Sequence, residues 1–413
     1  MKEPNRSDAI ASADKEWRGY TEPLQALGAQ VAQMWPEVDD DPQLRSELLW
    51  FLYSEIGAGF MTVAWANDHH PDFFPCWGQV FNNGGNINPD GVYYMTPIDD
   101  QGVYKLAGFR GTLRIVDLQL GDGSVFAWGK LNDEYSFGPT LANYDLDDDV
   151  TVDENGWFEV VLSPERPEGW TGDWWPLPAT TNYLLVRQFA YDWINEVDAR
   201  IAIDRLDTPA AKPRRTPEDV KTMLERVPEF MYASLKTLDV PIHAESGLGT
   251  PALANNLVKI DYAPDQAGRA GQWYIAGRFD LQPDEALILE IAPGECRYWN
   301  LQLANEVTNT LDFYNRLVCI NGAQAQADAE GVFRVVVSAK DPGVWNWLDT
   351  VGHRKGFLWG RMDRTNDYEP KARLVKFADL RSELGPDVRE VTPAQREAEI
   401  RKRRMGAQLR RRW

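Results

Sequence analysis

Four stretches of this chain recur in the same order at offsets of 169 to 175 residues, and this repetition constrains the fold more than any other feature. Tyr104-Lys105-Leu106-Ala107-Gly108 resembles Trp273-Tyr274-Ile275-Ala276-Gly277. Gly156–Ser163 (GWFEVVLS) resembles Gly331–Ser338 (GVFRVVVS). Tyr183–Arg187 resembles Phe357–Arg361, and Ala199-Arg200-Ile201 resembles Ala372-Arg373-Leu374. Order and spacing together indicate a tandem duplication, and each copy has a helical pattern ahead of its β-like runs.

The Gly156–Ser163 run reads as a strand: Phe158 and Val160 fall on one face, while Trp157, Glu159 and Val161 fall on the other. Short strands separated by Gly, Pro and Asp favour sandwiches with Greek-key or jelly-roll connections. The expected class is therefore α+β, mostly β, built as two tandem helix-plus-β-sandwich modules of jelly-roll type. We place an N-terminal helical extension over 1–40, a first module over 41–207, a second over 208–381 and a basic C-terminal tail over 382–413. Asp41-Pro42 predicts an N-cap followed by a first-turn proline, with a helix running to about Asn67. Thr216-Pro217-Glu218-Asp219 opens a second helix with a capping-box pattern, and Pro228 predicts a kink or break in it. The boundary between modules falls in the spacer Leu206–Arg215, and a loop-rich stretch is expected from Glu245 to Gly271.

With 413 residues the chain is long enough for two or three domain-sized cores. It carries 43 Lys+Arg against 63 Asp+Glu, a net charge of −20, which argues against a broad nucleic-acid-binding surface. Cys76, Cys296 and Cys319 form no CxxC pair, which fits a reducing compartment and no disulfide framework. The N-terminus lacks an apolar secretory core. Leu48–Ala66 is close to spanning length, but Glu55 lies inside it with Gly57 and Gly59 following, so a buried core helix is expected rather than a membrane span. The expected location is cytoplasmic. The 17 Trp suit either a β-rich core or aromatic clefts.

Asn88-Pro89-Asp90-Gly91-Val92-Tyr93-Tyr94 and Tyr104–Gly111 resemble the N-terminal signature of the domain-of-unknown-function 1214 family. Trp299-Asn300-Leu301-Gln302-Leu303, Asp341-Pro342-Gly343, Asn346–His353 (NWLDTVGH) and Arg361 resemble its C-terminal part. Similar stretches span most of residues 45–381. The resemblance implies a β-rich fold with helices and assigns no general reaction.

The duplication supplies a test of its own. Where the second copy has Asn346–His353, the first has Thr171–Pro178 (TGDWWPLP). A segment needed only for folding should occur in both copies, so a site in the second module gains weight. On a helical turn Asp349 and His353 would share a face, the carboxylate orienting the imidazole as a general acid or base. The alternative is that Asn346 and Asp349 cap a turn and His353 satisfies a backbone carbonyl. Tyr298, Asn300 and Gln302 would line one wall opposite Trp299 and Leu301, and with Asn346 and Trp347 they are the candidate substrate-binding residues. Tyr93, beside Tyr94, Asn88 and Asp90, is a candidate for a pocket rim. Arg361, matched by Arg187, reads as a structural ion-pair partner kept by both copies. Glu55 is a candidate acid of raised pKa if buried.

Asp68-His69-His70-Pro71-Asp72 invites a metal reading, but adjacent histidines on an extended chain point apart and no H-E-x-x-H or H-x-H spacing exists. The acidic run Asp145–Glu154 lacks the glycine and terminal glutamate of a calcium loop and reads as a solvated turn. Walker A, G-x-G-x-x-G and G-x-S-x-G patterns are absent. No metal or cofactor is expected. The Arg-rich tail, with Arg396, Arg401, Lys402, Arg403, Arg404, Arg410, Arg411 and Arg412, is expected to dock on an acidic face of its own or a neighbouring subunit in a homo-oligomer. Three functions remain open. The first is a cofactor-independent lyase or isomerase acting on a hydrophobic or aromatic small molecule in the second module. The second is a carbohydrate-binding or carbohydrate-active protein using Glu55, Glu290 or Asp349. The third is a non-catalytic ligand-binding or structural oligomer.

Overall fold

The computed structural model describes residues 6–34, 41–65, 67–80, 83–123, 138–243, 254–261, 269, 271–365 and 369–410. Most of the loop-rich stretch expected after Glu245, and Arg411 and Arg412 of the tail, lie outside the described residues.

The first module holds β1 (Phe74–Trp77), β2 (Gly91–Pro97), β3 (Tyr104–Phe109), β4 (Ile115–Gly121), β5 (Thr140–Asp145), β6 (Trp157–Ser163), β7 (Asp173–Pro176), β8 (Tyr183–Phe189) and β9 (Arg200–Arg205). The second holds β10 (Asn256–Asp261), β11 (Gln272–Asp280), β12 (Glu285–Ile291), β13 (Tyr298–Ala304), β14 (Cys319–Asn321), β15 (Phe333–Ser338), β16 (Trp347–Asp349), β17 (Lys355–Asp363) and β18 (Lys371–Lys376). The first module's sheets run β1-β2-β8-β4-β5 and β7-β6-β3-β9. The second repeats them strand for strand, as β10-β11-β17-β13-β14 and β16-β15-β12-β18. Even the exception is copied: β6–β7 and β15–β16 are parallel, while the other pairs are antiparallel. The protein is mostly β, of α+β class, and made of two repeated sandwich modules.

Register corrects two of the four sequence matches. Leu106 of β3 pairs with Val160, and Leu289 of β12 pairs with Val335. The counterpart of β3 is therefore β12, and Tyr104–Gly108 does not correspond to Trp273–Gly277 of β11. The two segments share an Ala-Gly for a local reason. A Cβ on Gly108 would lie 1.9 Å from the Arg200 carbonyl oxygen, and one on Gly277 would lie 2.2 Å from that of Asn256. The Ala199/Ala372 match names the right strands but slips four residues, since register sets Ile203 opposite Leu106 and Ala372 opposite Leu289.

Alternation divides each five-stranded sheet into two faces. Val116, Leu118, Leu120, Leu184 and Val186 meet Tyr104, Leu106, Phe158, Val160 and Leu162 inside the first sandwich. Trp299, Leu301, Leu303 and Leu358 meet Leu287, Leu289, Val335 and Val337 in the second, and one apolar core runs through both. Each fully buried aliphatic or aromatic side chain there contributes about 1.5–3 kcal/mol.

The other face of the first five-stranded sheet is roofed by helices. α1 (Arg6–Met34) lies along α3 (Pro217–His243), and α2 (Pro42–Gly59), continued by a π-helical turn Phe60–Trp65, packs on α3. Asp41 caps α2, accepting from the N–H groups of Gln43 and Leu44. Thr216 and Asp219 exchange hydrogen bonds at the start of α3. Pro228 does not break α3, which runs on to His243. Below the roof, Leu48, Phe51, Leu52, Val227, Phe230 and Leu235 meet Phe74, Met95, Leu185 and Phe189. The segment Pro42–Trp65 is long and apolar enough to cross a membrane, at mean hydropathy 1.2, yet its inner edge is packed into this layer. After α4 (Leu380–Leu384), α5 (Pro393–Leu409) starts from a Thr392–Gln395 capping box.

Candidate functional site

The second face of each five-stranded sheet carries the polar residues, and there the modules reach into one another. In register, Asp117, Gln119 and Arg187 of the first module stand where Asn300, Gln302 and Arg361 stand in the second. The residue three before β2 is Asn88, and the residue three before β11 is Arg269. Each of these crosses to the partner module.

Asn88 Nδ2 donates to the Tyr298 hydroxyl at 2.8 Å, and Asn300 Nδ2 donates to Asn88 Oδ1 at 2.9 Å. Tyr298 in turn donates to Asp90 Oδ2 at 2.7 Å. Asp90 Oδ1 accepts from Trp193 Nε1 at 2.7 Å and from Asn321 Nδ2 at 2.9 Å. Burial raises the Asp90 carboxyl above the ordinary carboxylate range, and these donors offset the shift only in part. Gln302 Nε2 donates to the Ile87 carbonyl at 2.6 Å, while Arg361 donates to Gln302 Oε1 at 2.8 Å and to the Asn86 carbonyl at 2.7 Å. Arg361 therefore binds amide oxygens rather than forming the expected ion pair, whereas its counterpart Arg187 lies 3.5 Å from Asp117.

Arg269 makes the reciprocal contact. It lies 3.5 Å from Asp117 and 2.9 Å from Asp145, and it also binds Asp363. Arg297 joins Asp145 and Asp147, Arg110 holds Asp147 at 2.7 Å, and Arg364 binds Asp148. The acidic run is an exposed turn from Asp147 onward, as expected, but arginines of both modules gather its first half: burial raises Asp145, and the Arg297 and Arg269 guanidinium groups outweigh it and hold that carboxyl below its ordinary pKa.

The two residues expected to form an acid/base pair do not meet. Asp349 ends a strand rather than lying on a helical turn. Its Oδ1 accepts the Val351 N–H at 2.8 Å, and its Oδ2 pairs with Arg316 at 3.2 Å. Val351 and Gly352 then take the left-handed region (φ 54° and 84°), turning the chain so that His353 points elsewhere. His353 Nε2 lies 3.2 Å from Glu47 Oε1 on α2. Glu47 also accepts from Gln43 at 2.9 Å and from Asn305 at 2.6 Å. Sequence reasoning missed Glu47 and Asn305, because no spacing rule links α2 to a loop more than 250 residues away.

The remaining candidates have structural partners. Asn346 straps the Gln326 backbone through both amide atoms, at 2.9 and 2.7 Å. Trp347 donates to the Ser338 carbonyl at 3.1 Å and lies 5.1 Å beneath the Arg396 guanidinium. Tyr93 accepts the Asn88 N–H at 3.2 Å and packs edge-on against Trp77 and Phe189. It borders a cavity of about 60 Å³ shared with Trp77, Trp193, Phe313, Tyr314 and Arg410. That volume suits one or two waters, whereas a benzene-sized guest needs roughly 150 Å³. A wider groove of about 470 Å³ runs beside α5, between Asp341, Val391, Ile400, Arg401 and Arg404.

Three carboxylates were raised as possible sugar-processing groups, and they sit in unrelated surroundings. Glu55 lies between α2 and α3, Glu290 of β12 lies 3.5 Å from Arg334 of β15, and Asp349 is in the turn above. Glu55 is wholly buried, and burial raises it from 4.5 to about 8. The Ser234 hydroxyl pulls the other way, but neither Glu55 oxygen has a partner in hydrogen-bond geometry. His69 pairs with Asp68, and His70 binds the Pro209 carbonyl. Among the described residues, no three His, Cys, Asp or Glu side chains converge as a metal cage would need.

The tail docks on its own chain. Arg396 holds Asp341 at 2.9 Å, Arg403 lies 4.6 Å over Trp193, and Arg410 binds Asp198, Gln188 and the Asp90 carbonyl. α5 therefore starts on the second module and finishes on the first.

No curated protein matches the sequence. Among solved structures, an uncharacterized protein from Burkholderia cenocepacia superposes with a TM-score of 0.77 at 27% identity, over 89% of this chain and 98% of that one. A Vibrio parahaemolyticus protein gives a TM-score of 0.43 at 13% identity, over 79% of this chain and 98% of that one. Residues 280–367, from the end of β11 to just past β17, match the family described as protein of unknown function (DUF1214), so the similarity to that family falls within the second module.

Proposed function

We propose that this protein is a non-catalytic, oligomer-forming scaffold. One observation carries the reading: the polar side chains nominated for chemistry have structural duties. Tyr298, Asn300 and Gln302 hold the first module's 86–90 loop, Asn346 holds the Gln326 backbone, and Asp349 caps a turn instead of orienting His353. The residues of both signature stretches, Asn88-Pro89-Asp90 and Trp299–Leu303 with Arg361, meet in one latch between modules. A motif that builds a latch needs no substrate to explain it.

A second reading, ligand binding in the groove beside α5, rests on its volume of about 470 Å³, inside the range of small-molecule sites. Native mass spectrometry of gently purified full-length protein separates the two. The scaffold reading expects an integral multiple of the 47.0 kDa protomer with no stoichiometric adduct. A protomer mass, or a small molecule bound one per chain, overturns it.

A further inference from the structure

The helical roof has an outer edge that the other described residues leave exposed. α2 turns Leu48, Phe51, Leu52, Glu55 and Ala58 inward, while Leu49, Trp50, Tyr53 and Phe60 point outward, with Trp65 one turn on. Their exposures are 47, 62, 67, 53 and 39%. From Leu48 to Trp65 the single charged residue is Glu55, and it is buried. Spacing of three and four residues places Trp50, Tyr53, Gly57 and Phe60 on one stripe. In that stripe Gly57 is a hole: a Cβ there would meet nothing within 4 Å.

Resting on the scaffold reading above, we infer that this stripe is the contact with a second copy of the same chain, with α2 crossing its twin antiparallel about a two-fold axis at Gly57. The pattern is self-complementary, as an isologous interface requires. Bare backbone meets bare backbone at Gly57, and the Trp50 and Tyr53 rings of one copy lie beside Phe60 and Met61 of the other. Area agrees with a pair. At 150–250 Å² per aromatic side chain, the exposed fractions amount to about 500 Å² per copy, or about 1,000 Å² for two. That reaches the lower limit of a specific interface. Charge selects the occupant. A chain of net −20 is repelled by anionic lipid and by its own kind, and that repulsion is least where Leu49, Trp50, Tyr53 and Phe60 present no charge; Lys212 and Arg215 lie over the Trp65 ring at the stripe's end. The contact therefore tightens as salt rises, whereas a basic tail gripping a neighbour's acidic face would loosen.

Sedimentation velocity on the full chain at micromolar concentration, in 0.05 and 0.5 M NaCl, tests the proposal. Wild type is expected as a dimer that tightens with salt. Trp50→Ser/Tyr53→Ser/Phe60→Ser is expected to raise the dimer dissociation constant at least tenfold. Gly57→Leu fills the hole with a stronger helix former, so it should weaken the dimer while keeping the thermal midpoint. If wild type is an oligomer that both variants preserve, the stripe is not the contact although the scaffold reading survives. A wild-type monomer overturns both. Co-sedimentation of wild type with neutral phosphatidylcholine vesicles, lost in the triple variant, would assign the stripe to membrane and overturn the dimer.

Discussion

Glu55 is a carboxyl group with no place to put a charge. Its folded pKa of about 8 exceeds the ordinary 4.5, so between those values the folded state keeps a proton that the unfolded state releases. The stability this protonation gives is complete below about pH 4.5, declines by up to roughly 1.4 kcal/mol per pH unit, and is gone once pH passes about 8. Glu55→Gln should flatten that decline, gaining most against wild type above pH 8, as read from urea midpoints at pH 6, 7 and 8. An unchanged pH slope would mean that Glu55 ionises where it lies. The caps at Asp41 and Thr216 were legible because a cap and its target lie within three residues. The partner of His353 was not, because two left-handed residues turned the chain and a helix from the other end of the sequence supplied the acid.

Among elements, α5 makes contacts on both modules. Arg410 is almost fully buried with Asp198, which it reaches through Nε and Nη2, and it donates to the Asp90 and Gln188 main-chain carbonyls. Arg410→Ala leaves Asp198 buried without its cation, a change that costs about 3–5 kcal/mol. The measurement is a urea titration beside Arg401→Ala, whose partner Glu397 is exposed and whose loss should cost less than about 1 kcal/mol. Equal losses would remove the clasp. The sequence showed that the tail was basic and needed an acidic host. Which face took it was hidden, because half of its acceptors are backbone carbonyls, to which composition is blind. The mistaken match of β3 with β11 has a similar root: a strand's sequence records its faces and its close approaches, not its place in the sheet.

At the scale of the whole molecule, duplication has preserved topology and diversified chemistry. One crossing is built of amides around Asn88, and the other is built of an arginine among three aspartates. Arg269→Ala should therefore be the harsher change, at about 3–5 kcal/mol, because it strands buried carboxylates. Asn88→Ala loses neutral hydrogen bonds and should cost about 1–3 kcal/mol. Paired unfolding titrations read the difference, and a milder Arg269→Ala would contradict the electrostatic account. The existence of the repeat was legible, since the GWFEVVLS/GVFRVVVS and Tyr183–Arg187/Phe357–Arg361 matches fall on equivalent strands, although two of the four matches were out of place. The exchange was not, because it depends on residues that changed identity while keeping their posts.

That exchange makes the spacer Leu206–Arg215 dispensable in principle. Each half presents its own insertion and its own socket, so the polypeptide link does no more than raise the effective concentration of one half near the other. A protease nick confined to the spacer should leave a molecule that still migrates as one. Its two pieces should part only on dilution, as subunits do, and find each other again when mixed.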